Sequence, residues 1–116
     1  MTWRETVTLK ELQEKQRIKL HLDGQTILLL WHQDKIHAIQ SQCPHLKLPL
    51  FRGTLTEDDA IICPFHKSKF HLKDGSVACW APWPKPLSPL LGKISKEKKL
   101  SIYPTKLEQA SIWVDL

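Results

Sequence analysis

Cys43-Pro44-His45 and Cys63-Pro64-Phe65-His66 are two half-sites, C-x-H and C-x-x-H, with seventeen residues between them. Two soft thiolates and two imidazoles at this spacing are the donors of a thiophilic metal centre. Pro44 and Pro64 stiffen both loops, because proline fixes φ and removes a backbone donor. Each half supplies one Cys and one His, so the two loops together can offer two Cys to one metal and two His to another. The plain alternative is a structural zinc ion, which a Cys₂His₂ set also satisfies. Zinc sites, however, pair like with like, as C-x₂₋₄-C and H-x₃₋₅-H. The mixed order here favours a two-metal centre.

The wider stretch Cys43-Pro44-His45 … Pro49-Leu50 … Gly53 … Cys63-Pro64-Phe65-His66 … Phe70 … Asp74-Gly75 resembles a Rieske-type iron–sulfur domain. The likeness is strongest over residues 36–80 and continues more weakly, in the order of elements, over most of the chain. It implies one [2Fe–2S] cluster per chain, with Cys43 and Cys63 on one iron and His45 and His66 on the other. It also implies an all-β fold: an antiparallel sandwich or barrel base, residues 1–40 and 81–116, with a cluster-binding subdomain of about 41–80 inserted. His71, five residues beyond His66, is not needed in that ligand set.

The resemblance also bears on the reduction potential. The membrane-anchored respiratory type carries a further cysteine in each loop, which form a disulfide, and a tyrosine that donates to a cluster cysteine. Leu48, Phe65 and Phe70 stand at those places here, so neither feature is available. Ser68 matches a serine whose hydroxyl donates near a bridging sulfide. Donors to sulfur stabilise the reduced, more negative state. With most of them missing, the expected potential is near the low end of the Rieske range, about −150 mV.

Hydrophobic patterning supports an all-β reading. Arg17–Leu22 alternates strictly, Asp23-Gly24 is a hairpin signal, and Thr26–Trp31 is an apolar run of the kind buried on both faces. Ile36–Gln40 leads to Cys43 and Ala60–Ile62 to Cys63. Further strands are expected before Leu12, at Phe51–Leu55, Phe70–Leu72, Val77–Trp80, Leu100–Tyr103 and Ser111–Val114. The polar run Lys10–Gln16 reads as a connection and Thr105–Ala110 as a helical turn. Leu46, Leu48 and Leu50 read either as an apolar collar around His45 or as ordinary packing. Residues 82–89 hold four prolines, which excludes a central strand. That stretch, with Trp83, is either a cover for the cluster or a stiff connector. Cys79 reads as a small buried hydrophobe.

At 116 residues the chain is one domain. No run reaches the length of a membrane span and the N-terminus has no apolar leader pattern. Three cysteines, two of them assigned, leave no disulfide framework, which fits a reducing cytoplasm. A net charge of +5 points to an acidic partner, steered by Lys67 and Lys69 beside the second loop, while Lys93–Lys99 reads as a solvated face. The basic residues do not alternate with stacking aromatics, so no nucleic-acid partner is expected. Together these readings describe a monomeric one-electron carrier, not an enzyme. Its expected partners are a flavin-dependent ferredoxin reductase and a terminal oxygenase or similar acceptor. The alternatives are a tightly bound electron-transfer subunit, whose five tryptophans would form an apolar patch, and a zinc-stabilised interaction module.

Overall fold

A computed structural model describes residues 3–44, 48–64, 67–79 and 99–116. The chain forms two compact units, one of Met1–Gln40 with Ile102–Leu116 and one of Ser41–Ser101.

The first unit contains two antiparallel sheets. One joins β1 (Trp3–Thr8), β11 (Ser111–Asp115) and β10 (Thr105–Glu108), with β11 central. The other has the order β2 (Arg17–Leu22), β3 (Gln25–His32), β4 (Lys35–Gln40), β9 (Ile102–Tyr103). The expected meander is thus β2-β3-β4, while β1 pairs with the C-terminal strand. In β3, Ile27 and Leu29 pack with Leu12, Ala38, Ile112 and Val114 in the core, and Leu28 and Leu30 on its other face are buried as well. The continuous apolar run needed both faces covered, and both are.

Two expectations fail in this unit. The connection after β1 is a short helix, α1 (Leu9–Lys15). Thr8 caps it by accepting from the Glu11 N–H at 3.2 Å, and Leu12 is its buried anchor. Thr8-x-x-Glu11 is a capping-box pattern, a signal the polar composition hid. The helical turn expected at Thr105–Ala110 is instead β10 followed by a two-residue turn. Gln109 and Ala110 both take positive φ, 50° and 67°, as do Asp23-Gly24 and Gln33-Asp34 in the other two tight hairpins. Only Asp23-Gly24 advertises such a turn in its residues. Pairing of β10 with β11 imposes it on Gln109-Ala110.

Trp3 and Trp113 lie around one cation: Lys106 Nζ is 4.5 Å from the Trp3 ring centroid and 5.6 Å from that of Trp113. Trp31 packs against the core. The three described tryptophans therefore belong to this unit's packing. Trp80 and Trp83 lie outside the described residues.

The second unit is built on a four-stranded antiparallel sheet in sequence order: β5 (Thr54–Leu55), β6 (Ala60–Ile62), β7 (Lys69–His71), β8 (Val77–Cys79). Leu50, Ala60, Ile61, Phe70, Leu72 and Leu100 are buried in it. Leu50 is therefore core packing and not a collar. The proline-rich stretch, Leu46, and Lys93, Lys96 and Lys98 fall outside the described residues.

Candidate metal centre

Cys43 and Cys63 occupy the same position in two hairpins of the same design. In the first, the Leu50 N–H donates to Ser41 O at 2.9 Å, Gln42 bridges Pro49, and the Cys43 N–H donates to Leu48 O at 2.7 Å. In the second, Ile61 pairs with Phe70, Ile62 with Lys69, and the Cys63 N–H donates to Ser68 O at 2.8 Å. Each cysteine is the last paired residue on its arm and bonds to the residue five places on. Each loop between opens with proline, and the sequences are Pro44-His45-Leu46-Lys47 and Pro64-Phe65-His66-Lys67. In the second loop the chain turns back at Lys67, with φ of 62° and its N–H donating to Cys63 O at 3.0 Å.

Both cysteines are buried, at 1 % and 0 % exposure, and neither is in a disulfide. Ser68, at 0 %, is a fully buried hydroxyl directly after the second loop. Phe70 is also fully enclosed and carries no donor. Buried thiols on rigid, water-excluding hairpin ends suit thiolate ligation of a metal centre. His45 and His66, the other sequence-predicted ligands, lie outside the described residues, as does Phe65. Among the described residues no group of three or more His, Cys, Asp and Glu is placed to hold a metal ion. His71 faces elsewhere, on a shallow pocket of about 290 Å³ with Asp58, Asp74 and Lys73.

Two roles here come from the fold. Gly53 ties the hairpins together. Its N–H donates to Leu50 O at 2.8 Å, at the exit of the first, and a Cβ on it would meet Ile61 Cγ1 at 2.8 Å and Ile62 O at 2.9 Å, at the base of the second. Lys69 does not present an open charge to a partner. Its Nζ lies 2.9 Å from Asp58 Oδ2 and its side chain is 28 % exposed. The Thr56 hydroxyl also donates to Asp58. That bond first, and Lys69 second, hold the Asp58 carboxyl down at about 2.

An antiparallel β-sheet unit that offers two buried cysteines on matched hairpins, inserted in an all-β base, is the build of an iron–sulfur domain. A family model described as the Rieske [2Fe-2S] domain matches residues 2–104, and the chain belongs to that family, whose cofactor is a [2Fe–2S] cluster. Relatives include the ferredoxin component of the naphthalene 1,2-dioxygenase system of Pseudomonas putida, 25% identical over 98% of this chain and 95% of that one. The ferredoxin component of the alkene monooxygenase system of Xanthobacter autotrophicus is 39% identical over 49 residues, 42% of this chain and 40% of its own length. Among solved structures, the ferredoxin of carbazole 1,9a-dioxygenase from Nocardioides aromaticivorans superimposes with a TM-score of 0.75 over 98% of this chain and 97% of that one, at 21% identity. Among the described residues no helix is long and apolar enough to cross a membrane.

Proposed function

We propose that this chain is a Rieske-type ferredoxin, a one-electron carrier between a flavin-dependent reductase and a terminal oxygenase. Cys43 and Cys63 would hold one iron of the cluster and His45 and His66 the other. The observation that carries this reading is the pair of matched hairpins, each bringing one buried cysteine to its closing position. Support for the partners comes from relatives named as ferredoxin components of oxygenase systems.

When bound, a [2Fe–2S] cluster supplies a single reversible electron, and imidazoles in place of two thiolates make reduction less penalised than in all-Cys clusters. The chain's own residues set the environment. The closing bonds at Cys43 and Cys63 hold the thiolate-bearing backbone stiff, so little reorganisation accompanies a change of charge. Burial of both cysteines keeps water from the sulfur. The Ser68 hydroxyl is a candidate donor to sulfur, and Phe70 packs where it cannot donate. One donor in place of several keeps the potential towards the low end of the family range.

Visible absorption and EPR of the purified protein, before and after dithionite, test this reading. A red-brown protein that bleaches and gives a rhombic reduced signal is expected. Cys43→Ser and Cys63→Ser should each abolish the colour. A colourless wild-type protein carrying one zinc per chain would overturn the proposal.

A further inference from the structure

The outer face of the three-stranded sheet carries side chains that electron carriage does not use. β11 is central in that sheet, and alternation sends Ile112 and Val114 to the core and Trp113 to the opposite face. Glu5 on β1 and Lys106 on β10 are the register partners of Trp113, so they flank it. Glu108 follows Lys106 by two residues and shares its face. The Lys106 ammonium lies over the rings of Trp3 and Trp113, and its Nζ is 3.4 Å from Glu108 Oε2. With 57 % of its side chain exposed, Glu108 keeps room for a second cation.

Beside this stack is a cavity of about 300 Å³ lined by Glu108, Gln109 and Trp113. Trp113 is half-buried, and its Nε1 is enclosed with no hydrogen-bond partner. The part of the indole that faces outward is therefore carbon. Asp115, two residues beyond Trp113 and across from Trp3, is 5 % exposed, and its Oδ1 has no hydrogen-bond partner either. The carboxylates of Glu5, Glu108 and Asp115 outnumber the Lys106 ammonium here, although the chain as a whole carries +5.

An aromatic face beside a carboxylate attracts cations, and Lys106 shows that these two rings already take one. What the cavity leaves open is an indole surface with a carboxylate and a carboxamide at its edge. A guanidinium is planar, so it can stack on the ring while donating in its own plane to both. A volume at the bottom of the range for ligand sites suits a side chain better than a larger molecule. We propose that this cavity receives an arginine side chain of a partner polypeptide, stacked on Trp113 and hydrogen-bonded to Glu108. Lys106 is then a built-in competitor for the same carboxylate.

The test is a chemical-shift titration of the full, cluster-loaded, oxidised chain at low salt, read at the Trp113 indole N–H. The probes are acetyl-Gly-Arg-Gly-amide and its citrulline and lysine counterparts. Citrulline keeps the shape and planarity of arginine without the charge. The arginine peptide should give a saturable shift. The citrulline peptide should bind about tenfold more weakly, and the lysine peptide should fall between them. Glu108→Gln should weaken the arginine peptide by about threefold or more. Asp34→Asn makes the same change in net charge on the β3–β4 turn and should alter binding by less than about 1.5-fold. Lys106→Met should tighten it by about threefold.

No saturable shift, or equal binding of the arginine and citrulline peptides, would overturn the site. A lysine peptide that matches arginine would overturn the guanidinium assignment. Equal losses in Glu108→Gln and Asp34→Asn would overturn the role of Glu108, and weaker binding in Lys106→Met would overturn that of Lys106 as a competitor.

Discussion

The two cysteine hairpins share a register but not a support. Residues 61–70 form the centre of a four-stranded sheet: β6 and β7 are its inner strands, flanked by β5 and β8. Among the described residues, none of the named strands falls within 41–50. The Ser41–Leu50 and Cys43–Leu48 bonds and a bridge at Gln42–Pro49, where proline cannot donate, join its two arms. The second hairpin shares the pairing of the sheet, and Gly53 lies between the first and the base of the second. One frame repeated twice can thus present two cysteines with the same geometry while the two halves differ in how easily they open.

Gly53 offers the most forceful way to break that comparison. In Gly53→Ala the new Cβ meets the Ile61 side chain and the Ile62 carbonyl oxygen, both at under 3 Å, so the link must shift. A loss of about 2 kcal/mol is expected from overpacking of this kind, read from urea unfolding. Hydrogen exchange should rise more at the Cys43 and Leu50 amides than at Cys63 and Phe70. Equal loosening of both hairpins would mean that the sheet does not protect the second.

Ser68 and Leu48 close the two loops from matched positions, but only Ser68 has a hydroxyl. If that hydroxyl donates to sulfur, Ser68→Ala should lower the reduction potential by about 60 mV, the equivalent of a tenfold change for a one-electron couple. Leu48→Ala should leave it nearly unchanged, since Leu48 contributes its carbonyl to the frame. Redox titration of both variants decides the matter. A similar shift in the two would mean that packing, not the hydroxyl, sets the potential.

The smallest expected effect concerns the ion pair on the second hairpin alone. Asp58 is held at about 2 in the folded protein, against 3.8 ordinarily, by the Thr56 hydroxyl and then by Lys69. A carboxyl depressed in this way stabilises the fold above its unfolded value, and that contribution fades as pH falls from 3.8 through about 2. Asp58→Asn should therefore melt slightly lower at neutral pH and lose less of its midpoint on acidification across that window. The pair is exposed to solvent, so the difference should be small and should shrink further in salt.

Much of this was readable along the chain because it depends on local chemistry. Strands β2 to β4 declare themselves by strict alternation, an Asp-Gly turn and an apolar run. The Cys/His spacing points to a metal centre with no help from the fold. What was misread was decided by neighbours distant in sequence. Residues 105–108 are a strand because β11 pairs with them, and Gln109-Ala110 turns with positive φ because that pairing leaves no alternative. Lys69 read as a steering charge until the fold brought Asp58, eleven residues earlier, within 2.9 Å.

The sequence by itself determined the family and the all-β class, because a ligand motif is written in residue type and spacing and strands in local periodicity. Only the tertiary structure decided that the arms leading to the two cysteines pair in the same register, that Gly53 packs between them, and that Lys67 sits on a left-handed turn. Those properties arise from pairing and close contact between segments far apart in the chain, which no local pattern records.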